Sequence, residues 1–202
     1  MNDAKKTMGT KLVFKDVLAG RFPADVAEKI WADATERLSA MYAGHPDLPK
    51  GVRAHTDSFI FPAAAIYLAV KQVSPDSAFE IMQDTMRKIA CQKGESLAKM
   101  TRHRLFARFF LAMWNPVSHK MFGESAGFRN VFYPKKKGEF RMDITQCPYK
   151  TYLTEQGCPE LTRLFCDNDV YAYGNLPNLS FTRTKTLGSG GNLCDFHLAV
   201  QK

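Results

Sequence analysis

The chain has 202 residues, enough for one well-packed domain. Hydrophobic residues make up 45% and charged residues 24%, which excludes disorder outside Met1–Thr10. The net charge of +8 comes from lysines and arginines spread along the chain, without a nucleic-acid-binding signature; it suits an anionic or amino-acid-like small substrate equally well, and no nucleic-acid partner is expected.

The first half reads as helical. Pro23 opens a helix over Ala24–Tyr42, with Val26, Ile30, Leu38 and Met41 near helical spacing. Residues 44–49 (Gly-His-Pro-Asp-Leu-Pro) close it. Asp57 or Ser58 caps a second helix, Phe59–Val73. Ser74-Pro75 starts a third, which reaches about Cys91. A fourth covers Glu95–Trp114 and stops at Asn115-Pro116.

The second half changes period. Asn130–Tyr133 and Glu139–Thr145 form a hairpin about Pro134–Gly138. Two short helices follow, Tyr149–Gln156, ended by Gly157, and Pro159–Phe165. Leu179–Thr186 and Asn192–Val200 form a second hairpin about Gly188-Ser189-Gly190-Gly191. That glycine run joins two strands and opens no helix, so it is a turn and not a phosphate loop. The expected fold class is α+β: a helical N-terminal half packed on one face of a small antiparallel sheet. One domain spans 1–202, mainly helical over 11–125. The sheet, two short helices and the candidate site fall in 126–202.

No apolar run reaches the roughly 18 residues of a membrane span. Lys5 and Lys6 are not followed by an apolar signal region, so a cytoplasmic location without membrane association is expected. The five cysteines are Cys91, Cys147, Cys158, Cys166 and Cys194, an odd count that argues against a disulfide framework. Their irregular gaps also argue against a structural metal site, and neither metal nor cofactor is expected.

Strand periodicity sorts the chemical residues by face. Phe140, Met142 and Ile144 share a face with each other, as do Cys194, Phe196 and Leu198. Arg141, Asp143, Thr145 and Cys147 fall opposite the first set, and Asp195 and His197 opposite the second. The polar face is either open to solvent or a pocket roofed by Phe165–Asp169. In a pocket, Asp195 beside His197 would orient a general base. Cys166 is the candidate nucleophile, following the short helix and flanked by Asp167 and Asp169. Cys194, on the apolar face, reads as core, as does Cys91. His45, His55, His103 and His119 show no partner.

Several short blocks then occur in a familiar order. They are Cys147-Pro148-Tyr149, Glu155-x-Gly157-x-Pro159-Glu160-Leu161, Phe165-Cys166-x-x-Asp169, Phe181-x-Arg183-x-x-Thr186-Leu187-x-x-Gly190 and Cys194-Asp195-Phe196. Across Arg141–Leu198 the chain resembles the L-2-amino-thiazoline-4-carboxylic acid hydrolase family. The resemblance implies a hydrolase that adds water to the ring carbon of a cyclic isothiourea and breaks its carbon–sulfur bond. Fitted to that task, Cys166 attacks or positions the carbon, and His197, oriented by Asp195, activates water. Arg183 or Arg141 binds the substrate carboxylate. Asp169 holds the exocyclic nitrogen, and Asp167 and Cys147 complete the substrate-binding set. A related ring-opening or ring-closing reaction, or a sensor domain that binds without converting, remain alternatives. Self-association into a homo-oligomer is open.

Overall fold

The computed structural model describes residues 3–201, and the fold is α+β. Met1 and Asn2 lie outside the described residues. Within the segment where order was not required, Ala4–Met8 forms a short helix, α1, which buries Met8. Leu12–Arg21 is a helix, α2, missed by the sequence reading although Phe14 and Leu18 stand four apart and are both buried. Ala24–Gly44, α3, follows as expected.

The second expected helix begins earlier than Asp57. Lys50–His55, α4, runs into a wide turn over Thr56–Ile60, in which the Phe61 amide bonds to the Thr56 carbonyl five residues back. The chain continues without a break into α5, Phe61–Val73. Asp57 therefore lies inside a continuous helix and caps nothing.

The third and fourth helices also divide elsewhere. Pro75–Thr101 is a single helix, α6. Gly94 is not a break: a Cβ there would stand 2.6 Å from the Tyr171 carbonyl oxygen, so glycine lets another helix approach. The real break is at Arg102-His103, where the Asn178 side-chain amide donates to the Thr101 and Arg102 carbonyls at 3.0 and 2.9 Å. Helix α7, Arg104–Met121, carries Pro116 inside it, whereas Asn115-Pro116 was expected to end it. The missing N–H weakens one turn. Tertiary contacts hold the last one: Ser118 is buried and the His119 ring stacks on Phe132 at 3.7 Å.

Four strands follow: β1 Arg129–Phe132, β2 Glu139–Gln146, β3 Leu179–Thr182 and β4 Cys194–Val200. The sheet is antiparallel in the order β1-β2-β4-β3. Between β2 and β3 lie α8, Pro148–Glu155, and α9, Leu161–Tyr173. The expected short helix from Pro159 thus continues well past Phe165, and Cys166, Asp167 and Asp169 are helical. Residues expected at the end of the third strand, Arg183 to Thr186, instead leave the sheet and lead to a short 3-10 turn, Leu187–Ser189.

Two hydrophobic clusters form. In one, α1–α3, α5 and α6 gather around Phe61, Ile66 and Leu38, joined by Leu153, Leu161 and Leu164. In the other, Ala107 and Leu111 of α7 and Ala172 and Tyr173 of α9 cover Phe140, Met142, Phe196 and Leu198 on one sheet face. Tyr149 packs against both. Among the described residues no helix is long and apolar enough to cross a membrane.

Candidate active site

Helix α9 sets the geometry. Cys166, Asp169 and Tyr173 recur at helical spacing, so they share one side of it. That side faces the apolar side of the sheet, because Tyr173 contacts Phe181 and Phe196. The expected roof therefore covers the opposite face from the one proposed. Cys194, read as core, begins β4 on the covered face and meets Cys166.

The turn after Arg183 completes this contact. The Leu187 amide donates to the Cys194 sulfur at 3.2 Å. Thr186 Oγ1 accepts from the Ser189 amide at 3.0 Å, leaving its hydroxyl hydrogen to donate to Cys166. The Gly188 amide also points at Cys166. Glycine is required here by space: a Cβ would lie 2.9 Å from the Cys166 sulfur and 3.0 Å from the Arg163 amide nitrogen. The run first seen as a hairpin turn is thus also the lid of the thiol.

These donors shift the thiols in opposite directions. The Cys194 S–H donates to Cys166 and lowers its pKa despite burial, with Thr186, Gly188 and the Arg183 charge acting the same way. Cys194 is pushed up, first by that shared proton and then by burial. Cys166 is the member that ionises, because the extra donors converge on it. Cys147, at the start of α8, is raised to about 12 by burial, although the Lys150 and Tyr149 amides favour its anion. It lies in the electrostatic range of Cys166 and Asp169. Among the described residues no set of three or more His, Cys, Asp or Glu side chains is arranged to hold a metal ion.

Asp169 and Arg183 are brought together. Arg183 Nη1 donates to Asp169 Oδ2 at 2.9 Å and Nη2 to the Cys166 carbonyl at 2.7 Å. The arginine side chain is only 6% exposed and the aspartate side chain 40%. Asp169 is thus crowded yet still partly exposed. Burial raises it to about 6, against the pull of Arg183 and Lys93. Lys93 of α6 lies 3.4 Å from the Tyr173 hydroxyl and is the second cation in electrostatic range of Asp169. Arg183 is committed to Asp169 and to the helix carbonyl, so it is not free to take a substrate carboxylate.

Tyr149 of α8 lies in electrostatic range of Cys147 and Asp169. Its ring lies 4.7 Å from Phe165, and its hydroxyl stands 3.1 Å from His55 Nδ1. His55 Nε2 is 2.8 Å from the Met121 carbonyl, which only an N–H can satisfy. Burial lowers the His55 pKa, so the ring is neutral and its Nδ1 accepts from Tyr149. Burial raises Tyr149, with Cys147 and Asp169 adding to the effect.

The remaining expected residues lie elsewhere. His197 pairs across the sheet with Arg141 and Thr182 on the open face, and its Nε2 is 3.9 Å from Glu139 Oε2. Arg141 stacks on the Tyr133 ring at 4.2 Å. Asp195 does not orient His197. Its Oδ1 accepts from the Thr184 and Lys185 amides at 2.9 and 2.7 Å, and its Oδ2 from the Thr184 hydroxyl at 2.6 Å. Burial would raise Asp195, but these bonds hold it below the usual carboxylate range. It fixes the strand exit that aims Thr186–Gly188 at the thiols. Asp167 is 3.6 Å from Arg163 in an ion pair along the helix. Alternation along β4 puts Cys194 and His197 on opposite faces, so the Cys166–His197 meeting does not form.

A family model described as L-2-amino-thiazoline-4-carboxylic acid hydrolase matches residues 53–198. The chain belongs to this family. A search among curated proteins finds no match. The match to L-2-amino-thiazoline-4-carboxylic acid hydrolases starts at Arg53, so it takes in α5 to α7 as well as the C-terminal blocks. It also spans His55, Lys93, Tyr149, Cys166, Asp169, Arg183 and Cys194. Sequence reasoning missed His55 and Lys93 because their partners, Tyr149 and Tyr173, stand 94 and 80 residues away. Cys194 was missed although its face was correctly read, since that face is also the one Cys166 meets.

The thiol pair gives a direct expectation. In the wild type, alkylation of Cys166 by iodoacetamide, followed by peptide mass, should titrate below the ordinary thiol range. Replacing Cys194 with alanine removes the S–H donor and should return the midpoint upward toward that range. An unchanged profile would remove Cys194 as the activating partner.

Proposed function

We propose that the chain is a thiol-dependent hydrolase that opens a small cyclic isothiourea- or amidine-like ring. The observation that carries this reading is the convergence of Cys194, Thr186, Gly188 and Arg183 on Cys166, which favours its anion. The thiolate is the attacking form. Asp169, one turn along the same helix, suits an amidine group.

In this reading Cys166 adds to the ring carbon between nitrogen and sulfur, and the carbon–nitrogen double bond takes up the electrons. Asp169, held by Arg183, binds the amidine N–H groups. Collapse then breaks the ring carbon–sulfur bond, and the leaving sulfur takes the proton of Cys194. Water adds to the carbon now bound to Cys166, which departs as thiolate. Of the two protons that water gives up, one returns to Cys194 and the other goes to the nitrogen of the former double bond. The sum is substrate plus one water, giving a ureido acid with a free thiol. Lys93 supplies the charge for a substrate carboxylate, the role first given to Arg183 or Arg141.

The lid also favours a second reading, because the turn that activates Cys166 covers it. In that case the site around Asp169 binds amidine-like ligands without converting them. The test is incubation with L-2-amino-thiazoline-4-carboxylic acid and with simpler cyclic isothioureas. The expected result is a product heavier by one water, with a transient protein adduct of substrate mass on Cys166. Thermal stabilisation by these compounds without product or adduct would select the binding module instead.

A further inference from the structure

Helix α7 covers the sheet with Ala107, Leu111 and Trp114, yet another of its faces is also apolar. Phe109, Met113 and Val117 follow one another at intervals of four along its middle, and Leu105 and Met121 flank them, each turned about 80° to either side of Met113. With Phe106 beside them, these side chains are 39–77% exposed. Six large apolar side chains exposed together form a contiguous apolar patch of the kind that marks an interaction surface.

We propose that this stripe joins two copies of the chain through α7. The stripe is complementary to itself. In an antiparallel pairing about a two-fold axis at Met113, Phe109 meets Val117 of the partner copy, and Leu105 and Met121 lie along the two edges of the seam. At the shallow crossing of about 20° found in bundles, contact persists along the helix. The charges agree. Lys120 comes to the level of Phe106, where an ammonium can lie on the ring. Arg102, just before the helix, comes to the level of the exposed Glu124, just after it. Neither Arg102 nor Glu124 has an ion-pair partner among the described residues of its own chain. Arg104 and Arg108 line a cleft with Lys135–Lys137 on another side of α7, so no cation of the helix opposes its counterpart.

Sedimentation velocity on the full chain at micromolar concentration should give twice the chain mass. Met113→Asp, an exposed change that sets two carboxylates together on the axis, should weaken association by at least ~30-fold, the scale of a central hot spot. Arg102→Glu should weaken it less, and adding Glu124→Arg should restore it. Circular dichroism checks that each variant is folded. A wild-type monomer, a dimer indifferent to Met113→Asp, or a charge swap that fails to restore association would each overturn the proposal. So would a monomer that pellets with anionic phosphatidylglycerol vesicles through the same stripe, since that assigns the face to a membrane surface.

Discussion

Replacing Cys166 with alanine is expected to lower ring-opening turnover by roughly 10³-fold or more, the scale of losing a nucleophile. Serine should not rescue it, because a hydroxyl in the same cradle stays protonated. The fold should survive, since Cys166 is only partly buried and its loss removes one small group. In the wild type, activity should rise as Cys166 ionises, with a midpoint drawn down from the ordinary thiol range to about 7. The checks are steady-state rates from pH 5.5 to pH 9 and a thermal melt of the variant. Full turnover by the alanine variant would leave the nucleophile claim without support.

The second large effect falls on Arg183. Arg183→Met keeps the bulk of the side chain but strips Asp169 and the Cys166 carbonyl of their donors. Breaking a buried pair by removing one partner costs about 3–5 kcal/mol, and the exposure of Asp169 reduces this toward ~2 kcal/mol. The cost depends on pH in a determined direction. In the folded protein Asp169 is raised to about 6 from its ordinary 3.8. The folded state therefore holds that proton more tightly than the unfolded chain. The contribution of Asp169 is most favourable below pH 4 and declines as pH rises through about 6. Without Arg183 the carboxylate is raised further. The variant should therefore be most destabilised relative to wild type at pH 8, and the gap should narrow toward pH 5. Denaturant melts at both values read this directly. A gap independent of pH would mean that packing, not charge, is the role of Arg183.

Much of this was legible from one chain of letters, and for physical reasons. Side-chain alternation in β2 and β4 put Phe140, Met142, Phe196 and Leu198 on a covered face, and the structure agrees. The local blocks also pointed to the family before any geometry. What escaped was set by distant contacts. Cys-Asp-Asn-Asp is a poor helix sequence, so α9 was ended at Phe165. Packing against α6 carries it to Tyr173. That single boundary decided which way Cys166 faces. With the residue in a loop, His197 seemed within reach. On the helix, the thiol meets Cys194 instead. The division expected between Cys91 and Glu95 is absent for the same kind of reason, since Gly94 there serves a close approach of two helices.

The wide turn at Thr56–Ile60 has its own consequence. One extra residue in a helical turn shifts the angular phase of all that follows by about 100°. Upstream of it, the helix keys to the sheet side, where His55 reaches Tyr149. Downstream, it keys to α3, where Ala63–Ile66 are buried. A single unbroken α-helix has one phase and cannot address both neighbours. The turn lets one rod serve two cores, each with its own angular setting.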